Sequence, residues 1–462
     1  MLKCDKILMD YYRACEAGGR RSEMSEIRAD FSEICGPVKP MNAVNNGPKR
    51  VKEDQVSDNV DAYAALRIPY ARTHDSAHCH DYGGPYTIDI TGIFQDFRAD
   101  ENDPDSYDFV NTDEYLARIE KAGTHVFYRL GQSIEHTVKK HGTLPPPDFH
   151  KWARICEHII RHVNYGWADG TRLGIEYWEI WNEPDLDRDD SKNKRCWGGT
   201  AAEFFDLFEI TAKHLKSCFP ELKIGGPAIC GRSDWAEEFL AEMKRREVPL
   251  DFFSWHIYSA KPESVAKRTR FFRDMLDRHG YNYAESILNE WNYVKDWTDN
   301  WVYSLKAETG PKGASFATAV MSLCQYENVD MLMYYDARPS GMNGLFDHVT
   351  QEPIYTYYPF YSFADMAELG SAVKIDAEAP LYACAAAGKG KAGLLMTYYS
   401  DDDSSAPVFA DFDLSSLPAG AKYEVHRLKN SDEVIFRGTV PADHLKIGFK
   451  LELFDIIFIS IG

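Results

Sequence analysis

Eight short runs of β-branched and aromatic residues recur along the first three quarters of this chain, and helical stretches separate them. The runs are Pro40–Asn46, Tyr70–Asp75, His125–Leu130, Tyr177–Glu183, Lys223–Ile229, Asp251–Tyr258, Ser286–Asn292 and Asp330–Asp336. Strands that alternate with helices predict parallel βαβ units, and eight such units close into a (β/α)8 barrel. We therefore expect an α/β fold with a TIM barrel over residues 31–365.

After about Met366 the helical stripes give way to alternating strands separated by turn-rich stretches. The predicted strands are Leu394–Tyr399, Val408–Leu414, Tyr423–Leu428 and Leu451–Ile461. This pattern predicts a C-terminal antiparallel β-sandwich over residues 366–462. Residues 1–30 have a helical character that becomes turn-like, and we expect a helical segment there that packs outside the barrel.

Charge and apolar patterning exclude several classes of partner. The formal net charge is −20, and no basic stripe is visible, so nucleic acid is not an expected partner. No apolar run reaches the roughly 18 residues that a membrane span needs. Lys3, Asp5, Lys6 and Asp10 interrupt the N-terminal apolar residues, so we predict no signal peptide. The ten scattered cysteines predict reduced thiols and a cytoplasmic location. The oligomeric state stays open.

Two carboxylates end strands on opposite sides of the predicted barrel. Strand four ends in Trp-Asn-Glu-Pro with Glu183, and strand seven ends in Asn-Glu-Trp-Asn with Glu290. Catalytic residues of TIM barrels lie at the carboxyl ends of the strands. We therefore expect Glu183 and Glu290 to face each other across the mouth of the barrel.

Hydrolysis of a glycosidic bond needs one carboxyl group that stays protonated and one that stays ionised. Burial beside aromatic rings raises a carboxyl pKa, and hydrogen bonds to the charged form lower it. Trp178 and Trp181 flank Glu183, and Tyr258 at the end of strand six is placed to donate to Glu290. The sequence therefore indicates Glu183 as the acid/base and Glu290 as the nucleophile of a glycosidase.

Several segments resemble the clan A glycoside hydrolases and, within them, glycoside hydrolase family 39, which includes β-xylosidases and α-L-iduronidases. The matching segments are Tyr70-Ala71-Arg72-Thr73-His74, Glu179-Ile180-Trp181-Asn182-Glu183-Pro184-Asp185-Leu186, Gly225-Gly226-Pro227-Ala228, Trp255-His256-Ile257-Tyr258 and Leu288-Asn289-Glu290-Trp291-Asn292. The resemblance covers the barrel and also implies the trailing sandwich. It implies a retaining mechanism, for which the two carboxyl groups are about 5–5.5 Å apart.

Four residues are candidates for supporting roles around this pair. Asn182 is expected to hydrogen-bond the sugar 2-hydroxyl, and Arg72 to lie lower in the barrel and orient Glu290. By resemblance, His74 binds sugar hydroxyls and His256 lies near the acid/base. The alternative for both histidines is a role in the core.

The remaining candidates for substrate binding are Trp291, Asn46, Asp336 and Arg338. For Asn46 and its neighbour Asn45, a turn before Gly47-Pro48 is the alternative. The family's xylosidases carry acidic residues on strand eight, and Asp336 is the residue available here. Arg338 indicates recognition of a carboxylate, as iduronidases require, or simply a pair with Asp336. The identity of the sugar therefore stays open.

The segment Asp75–Asp81 contains His78 and His80 in a His-x-His arrangement that can bind zinc. Metal-dependent amidohydrolase barrels place this motif on strand one, with a further histidine on strand five. Strand one ends in Asn here and strand five in Ile229-Cys230, so we expect a loop of the pocket wall, with no metal and no cofactor.

The sequence favours a retaining exo-glycosidase acting on small oligosaccharides or glycosides, β-xylosidase-like or active on arabinosides. The loops Thr87–Thr112 and Pro184–Thr200 are long enough to narrow the site, which favours exo action. Two alternatives remain open: an endo-acting clan A glycanase, and a non-catalytic glycan-binding barrel. The last would be expected to lose one of the two carboxylates, and both are present.

Overall fold

The computed structural model describes residues 25–49, 58–74, 87–339, 342 and 344–462. These residues form a closed barrel and a separate β-sheet domain. The first described strand, β1 (Ser25–Pro37), belongs to the sheet domain although it precedes the barrel in the chain.

Eight parallel strands close the barrel in chain order, and each lies within or overlaps one of the runs predicted from the sequence. They are β2 (Ala43–Asn45), β3 (Tyr70–Arg72), β4 (His125–Leu130), β5 (Tyr177–Ile180), β6 (Lys223–Ile229), β7 (Phe252–Ser259), β8 (Glu285–Tyr293) and β9 (Met331–Tyr334). Pairing of β2 with β9 closes the ring. The predicted TIM barrel is confirmed.

Helices follow the barrel strands and cover them from outside. Those described are α1 (Val60–Ala65), α2 (Ile90–Ile93), α3 (Val110–Lys121), α4 (Phe149–Tyr165), α5 (Ala201–Cys218), α6 (Ser233–Arg245), α7 (Pro262–Arg278), α8 (Trp301–Glu308), α9 (Pro311–Cys324) and α10 (Tyr357–Leu369). The start of α5 is fixed by a capping box, in which Thr200 and Glu203 each accept a backbone N–H of the other. None of the helices described here combines the length and apolar character of a membrane span.

Side chains alternate between the barrel interior and the surrounding helices along each strand. In β8, Glu290 lines the cavity at the barrel mouth. Its neighbour Trp291 points the other way and packs against Phe316 of α9, with ring centroids 6.4 Å apart. The strand therefore gives one residue to the site and the next to the core between strands and helices.

Among the described residues, the sheet domain contains nine strands. Besides β1, they are β10 (Ser371–Asp376), β11 (Leu381–Gly388), β12 (Lys391–Tyr398), β13 (Val408–Ser415), β14 (Lys422–Leu428), β15 (Asp432–Thr439), β16 (Leu445–Leu451) and β17 (Ile456–Ile461). Their order in the sheet is β15-β14-β17-β12-β11-β10-β1-β13-β16. Buried residues from both halves of the sheet, such as Val425 and Phe412, form one apolar cluster. The sheet thus folds over its own core, as a β-sandwich does.

Strand β1 differs from the helical segment predicted over residues 1–30, because residues 25–30 are extended. It pairs antiparallel with β10 and, alone among the described neighbours in this sheet, parallel with β13. Ile27, Ala29 and Phe31 are buried and alternate with more exposed residues, which is the period of a half-buried strand. Residues 1–24 lie outside the described residues, and the boundaries at 31 and 366 stay predictions.

The sheet domain packs against the barrel through helix α9. Ser315 lies 2.7 Å, Oγ to Oγ1, from Thr397 of β12. The buried ammonium of Lys312 donates to the backbone oxygen of Asp401 at 2.8 Å and to the carboxylate of Asp403 at 3.0 Å. This contact joins the two domains on the side of the barrel that carries β8.

Candidate active site

A cavity of about 1050 Å³ opens at the carboxyl ends of the barrel strands. Its described lining includes Glu183, Glu290, His74, His256 and Tyr258. The lining therefore brings together residues that the sequence predicted from four different strands.

The backbone after β5 turns sharply to bring Glu183 to the cavity. Trp181 and Glu183 both adopt the left-handed region, with φ of 74° and 47°. Residues that are not glycine avoid this region unless neighbouring contacts hold them there. The Glu183 N–H donates to the Ala228 carbonyl at 2.9 Å, and the Trp181 indole donates to the Cys196 carbonyl at 2.8 Å. These contacts hold the turn.

The Glu183 carboxyl lies in a setting that keeps it protonated. Burial, followed by the nearby charge of Asp185, raises its pKa to about 8. His256 Nδ1 lies 2.8 Å from one oxygen, and the Cys196 thiol lies 3.8 Å from the other. Burial lowers the pKa of His256, so this ring is neutral near pH 7. A proton is thus available on Glu183 at neutral pH, as a general acid requires.

Glu290 shares the burial of Glu183 but has more partners that favour its charged form. The Tyr258 hydroxyl donates to Oε1 at 2.5 Å, and the Arg72 guanidinium donates to Oε2 at 3.3 Å. Burial raises the pKa of Glu290 overall, while the charge of Arg72 and the hydrogen bond from Tyr258 partly oppose that rise. The predicted donation from Tyr258 is therefore present in the structure.

The two carboxyl groups lie close enough for a direct displacement. One oxygen of Glu183, one oxygen of Glu290 and a ring nitrogen of His256 all lie within 4.8 Å of one another. Retaining glycosidases hold their carboxyl groups about 5–5.5 Å apart, whereas inverting enzymes leave about 6.5–9.5 Å for a water molecule. An upper limit of 4.8 Å between an oxygen of each group agrees with the closer, retaining arrangement.

Arg72 lies beneath the pair and connects it to the floor of the barrel. Its fully buried guanidinium donates to Glu179 at 2.7 Å, to the Asn182 side-chain oxygen at 2.6 Å and to Asn45 at 3.1 Å, besides Glu290. Asn182 is thereby fixed one residue before Glu183. The position that we predicted for Arg72, below Glu290, is the one observed.

Glu179 of β5 is an acidic partner of Arg72, and this role was not predicted from the sequence. Its buried carboxylate also accepts hydrogen bonds from Ser254 at 2.6 Å and from Asn289 at 2.5 Å. A buried ion pair is stable only when further hydrogen bonds compensate for lost solvation, and Ser254 and Asn289 supply two of them. An acidic residue inside the apolar run of β5 was the available signal, since such a residue requires a buried cation.

His74 lies at the wall of the cavity beside Glu290. Its Nε2 is 3.8 Å from Glu290 Oε2, and its ring meets that of Tyr335 edge-on at 6.0 Å between centroids. His74 and His256 therefore both line the cavity rather than the core alone, which is the placement that the resemblance implied.

Trp291 and Asn46 do not line the cavity, in contrast to our prediction for both. Trp291 is fully buried behind β8, because side chains alternate along the strand. Asn46 has φ of 65°, and its side-chain oxygen accepts from the Tyr115 hydroxyl at 3.3 Å. It takes the turn role given above as the alternative, since Asn tolerates the left-handed region well.

Asp336 and Arg338 also lie outside the described lining of the cavity. Arg338 Nη2 is 3.2 Å from the Asp336 carboxylate, which is fully buried, and 3.3 Å from the Tyr335 hydroxyl. The pairing interpretation is the one that the geometry supports. Tyr335 lines the cavity in their place. Side chains continue to alternate between the two faces of β9 beyond the end of the strand, so Tyr335 points to the opposite side from Asp336.

Two tryptophans at the rim were not predicted. Trp297 and Trp301 line the cavity and stack on each other at 5.0 Å between centroids. Trp297 also meets the Tyr258 ring edge-on at 5.0 Å, and 57% of its surface is exposed. An exposed aromatic face in a cavity wall suits the apolar C–H face of a sugar ring. Trp297 lies between β8 and α8 and Trp301 is the first residue of α8, so neither belongs to a periodic pattern.

The segment with His78 and His80 lies outside the described residues, so its predicted place in the pocket wall stays a prediction. Within the described part of the chain, Glu183, His256 and Glu290 have donor atoms close enough to hold a cation. The Tyr258 and Arg72 donors already occupy Glu290, which favours the catalytic interpretation of this group.

Comparison with known proteins agrees with this geometry. The model of the glycosyl hydrolases family 39 matches residues 70–312, which include both carboxylates. The chain belongs to this family. A β-xylosidase from Geobacillus stearothermophilus is 33% identical over 188 residues, which are 37% of this chain and 35% of that relative. The match to this curated relative therefore spans about a third of its length.

Solved structures share the fold of the family 39 chain over almost its whole length. A glucosidase from Croceicoccus marinus matches with a TM-score of 0.77 and 20% identity, covering 95% of this chain and 98% of that one. A monomeric β-xylosidase from Caulobacter crescentus CB15 matches with a TM-score of 0.71 and 17% identity, covering 95% and 99%. At these identities the likeness concerns the fold, that is, the barrel with its sheet domain.

Proposed function

We propose that this chain is a retaining exo-glycosidase that hydrolyses small glycosides, with Glu183 as acid/base and Glu290 as nucleophile. The observation that carries the proposal is the asymmetry of the carboxyl pair. One oxygen of each lies within 4.8 Å of the other, yet Glu183 is held protonated while Glu290 accepts from Tyr258 and Arg72. A non-catalytic glycan-binding barrel has no need of this asymmetry.

In the first step, Glu290 attacks the anomeric carbon while Glu183 gives its proton to the departing glycosidic oxygen. The C–O bond to the leaving group breaks and an ester to Glu290 forms. In the second step, Glu183 takes a proton from water, whose oxygen attacks the same carbon and releases Glu290. Two displacements restore the original configuration. His256, 2.8 Å from Glu183, is placed to orient the carboxyl in both steps.

Arg72 supports the proposal as a positioning residue. It holds Asn182 and Glu290 with separate nitrogens of one guanidinium. The hydrogen bond of Asn182 to a sugar 2-hydroxyl is a part of the proposal. Such a contact strengthens as positive charge develops at the anomeric carbon.

Exo action is supported by the loop between Pro184 and Thr200, from which Leu186 and Arg195 line the cavity. Among the described residues of the loop Thr87–Thr112, none belongs to that lining. For the sugar, the β-xylosidase relative favours xylosides and, by their similar pentose shape, arabinosides. Recognition of a uronate by Arg338 is not favoured, because that guanidinium pairs with Asp336.

The test is a screen of aryl glycosides followed by proton NMR of the first product. The panel contains β-D-xylosides, α-L-arabinosides, β-D-glucosides, β-D-galactosides and α-L-iduronides, with xylo-oligosaccharides as natural substrates. We expect cleavage of a pentoside and a first product with the configuration of the substrate. An inverted first product would refute the double displacement. Release of internal fragments from a polymer would identify an endo-acting enzyme instead.

A further inference from the structure

One wall of the cavity carries two cations from helix α7, Lys267 and Arg268, which we call the basic wall. Both side chains line the cavity beside Gly231 and Ser264. The wall lies on the side of β6 and β7, the two strands that lie between those of Glu183 and Glu290. It is separate from the side of β3 and β9, where His74 and Tyr335 line the cavity.

Arg268 is held in place without an acidic partner. Its Nη1 donates to Ser233 Oγ at 3.2 Å, its Nη2 donates to the Gly231 carbonyl, and the guanidinium lies 4.7 Å from the centre of the Phe272 ring. Within the described ranges, no carboxylate comes within 4.0 Å of its nitrogens. Among the charged groups around Arg268, Asp185 has the largest effect on the pKa of its guanidinium. That carboxylate is already occupied by the backbone N–H groups of residues 230–232.

Other arginines around the cavity are paired, which makes Arg268 different. Arg195 binds Asp187 through two nitrogens, at 2.8 and 3.1 Å, and Arg232 binds Asp234 at 2.8 Å. Lys267 is exposed and, like Arg268, has no ion pair with any residue for which the structure gives a position. The basic wall is therefore an arginine and a lysine whose charges no carboxylate of the described residues neutralises.

The local balance of charge is opposite to that of the whole chain. The net charge is −20, yet the acidic residues in the described lining are the catalytic Glu183 and Glu290. Glu183 is protonated near pH 7 because its pKa is raised to about 8. A cavity wall that carries unpaired cations in an acidic protein attracts anions, and the field is strongest where solvent is partly excluded.

We propose that the basic wall binds a carboxylate or phosphate group carried by the leaving-group side of the substrate. The inference rests on the proposed function, since Glu183 protonates the leaving oxygen and the wall begins at the strand next to that of Glu183. The guanidinium suits two oxygens of such a group, and the ammonium of Lys267 adds a flexible point charge. The preferred substrates are then acidic glycosides rather than neutral ones.

The test compares three aryl glycosides, made with the sugar that the screen identifies or, where the screen finds no cleavage, with β-D-xylose: the 4-carboxyphenyl, the 4-phosphonooxyphenyl and the neutral 4-carbamoylphenyl glycoside. The readout is the ratio of kcat/KM for an anionic substrate to kcat/KM for the neutral one. We expect the ratio to fall about two- to fivefold in Lys267→Gln and about tenfold in Arg268→Gln. The two anionic substrates distinguish carboxylate from phosphate recognition.

The matched control is Lys121→Gln, an exposed lysine at the end of α3, which must leave the ratio unchanged. Raising the salt concentration from about 0.05 to about 0.5 M should also lower the ratio in the parent protein. A ratio that neither variant lowers would overturn the inference. Lys267→Gln keeps the test decisive if Arg268→Gln fails to fold, because the Lys267 side chain is exposed.

Binding of the same compounds by calorimetry needs no turnover and separates the two proposals. If none of the glycosides is hydrolysed but the anionic ones bind more weakly to Lys267→Gln than to the parent, the proposed function fails and the basic wall stands. If the neutral glycoside is hydrolysed and neither variant weakens binding of the anionic glycosides, the proposed function stands and the inference about the basic wall fails.

Discussion

Glu183 and Glu290 are chemically identical side chains to which the protein gives different partners. Burial acts on both, but Tyr258 donates to Glu290 alone, while Asp185 raises the pKa of Glu183. The direct contact of Glu290 with Arg72, at 3.3 Å, favours its charged form further. The difference between acid and nucleophile is therefore a property of residues that surround the pair.

Replacement of each carboxylate should give a different product in azide. Glu290→Ala should abolish hydrolysis, and azide should restore some turnover as a glycosyl azide of inverted configuration. Glu183→Ala should lose about 10²–10⁴-fold on substrates with poor leaving groups, and azide should yield a product of retained configuration. Proton NMR distinguishes the two azides. Near-normal hydrolysis by Glu290→Ala would show that the nucleophile is another residue.

The pH dependence of kcat/KM should follow the ionisation of Glu183. Since Glu183 must be protonated and its pKa is raised to about 8, kcat/KM should fall as the pH rises through about 8. Asp185→Asn removes a negative charge that raises this pKa, so the alkaline limb should move to lower pH. Asp189→Asn, a change in the same loop, is the control and should leave the limb in place. An alkaline limb that does not respond to Asp185→Asn would argue against Glu183 as the acid.

At the scale of a single element, the stability of helix α5 depends on the capping box in its first turn. Thr200→Ala removes one half of the capping box and should cost about 1 kcal/mol of unfolding free energy. Urea unfolding followed by circular dichroism measures this. Ser217→Ala, near the exposed end of the same helix, is the control and should change the free energy by less than about 0.5 kcal/mol. Equal effects of the two changes would show that the cap is not stabilising.

Strand periodicity accounts for what was and was not predictable within an element. The eight barrel strands were identified from their composition and their alternation with helices. The side to which each residue points was not, so Trp291 was assigned to the site although it packs against Phe316. A strand has two faces, and only the register of its neighbours decides which face is inside.

At the scale of the whole molecule, Lys312 is the residue that most directly joins the two domains. Its buried ammonium contacts Asp401 and Asp403 and lies over the ring of Phe454 at 5.7 Å. Lys312→Ala removes the buried cation of Asp403 and leaves Asp401 with Lys295 as the one described cation beside it, at 3.4 Å, and should cost about 1–3 kcal/mol. Thermal unfolding of the intact chain measures the loss. Lys306→Ala, an exposed residue of the neighbouring helix, is the control, and an equal loss there would contradict the assignment.

The sequence by itself determined the barrel, the sheet domain and the proposal that Glu183 and Glu290 act as a pair. These depend on local signals, namely the alternation of strands with helices and acidic residues placed where apolar strands end. The sequence also allowed us to predict that Tyr258, His74, His256 and Arg72 lie near this pair. The reason is that the residues that end parallel strands meet at one mouth of the barrel.

Only the tertiary structure decided which contacts the other residues of the barrel mouth and of the sheet domain make. The extended segment of β1 completes a sheet formed by residues more than 300 positions later, and no local pattern carries that pairing. The absence of an acidic partner for Arg268 among the described residues depends on distances to segments that lie far from it in the chain. Charge neutralisation is a property of three-dimensional neighbours. For this reason the sequence indicates which chemistry to expect at the anomeric carbon, while the fold decides which cations of the described residues have no acidic partner.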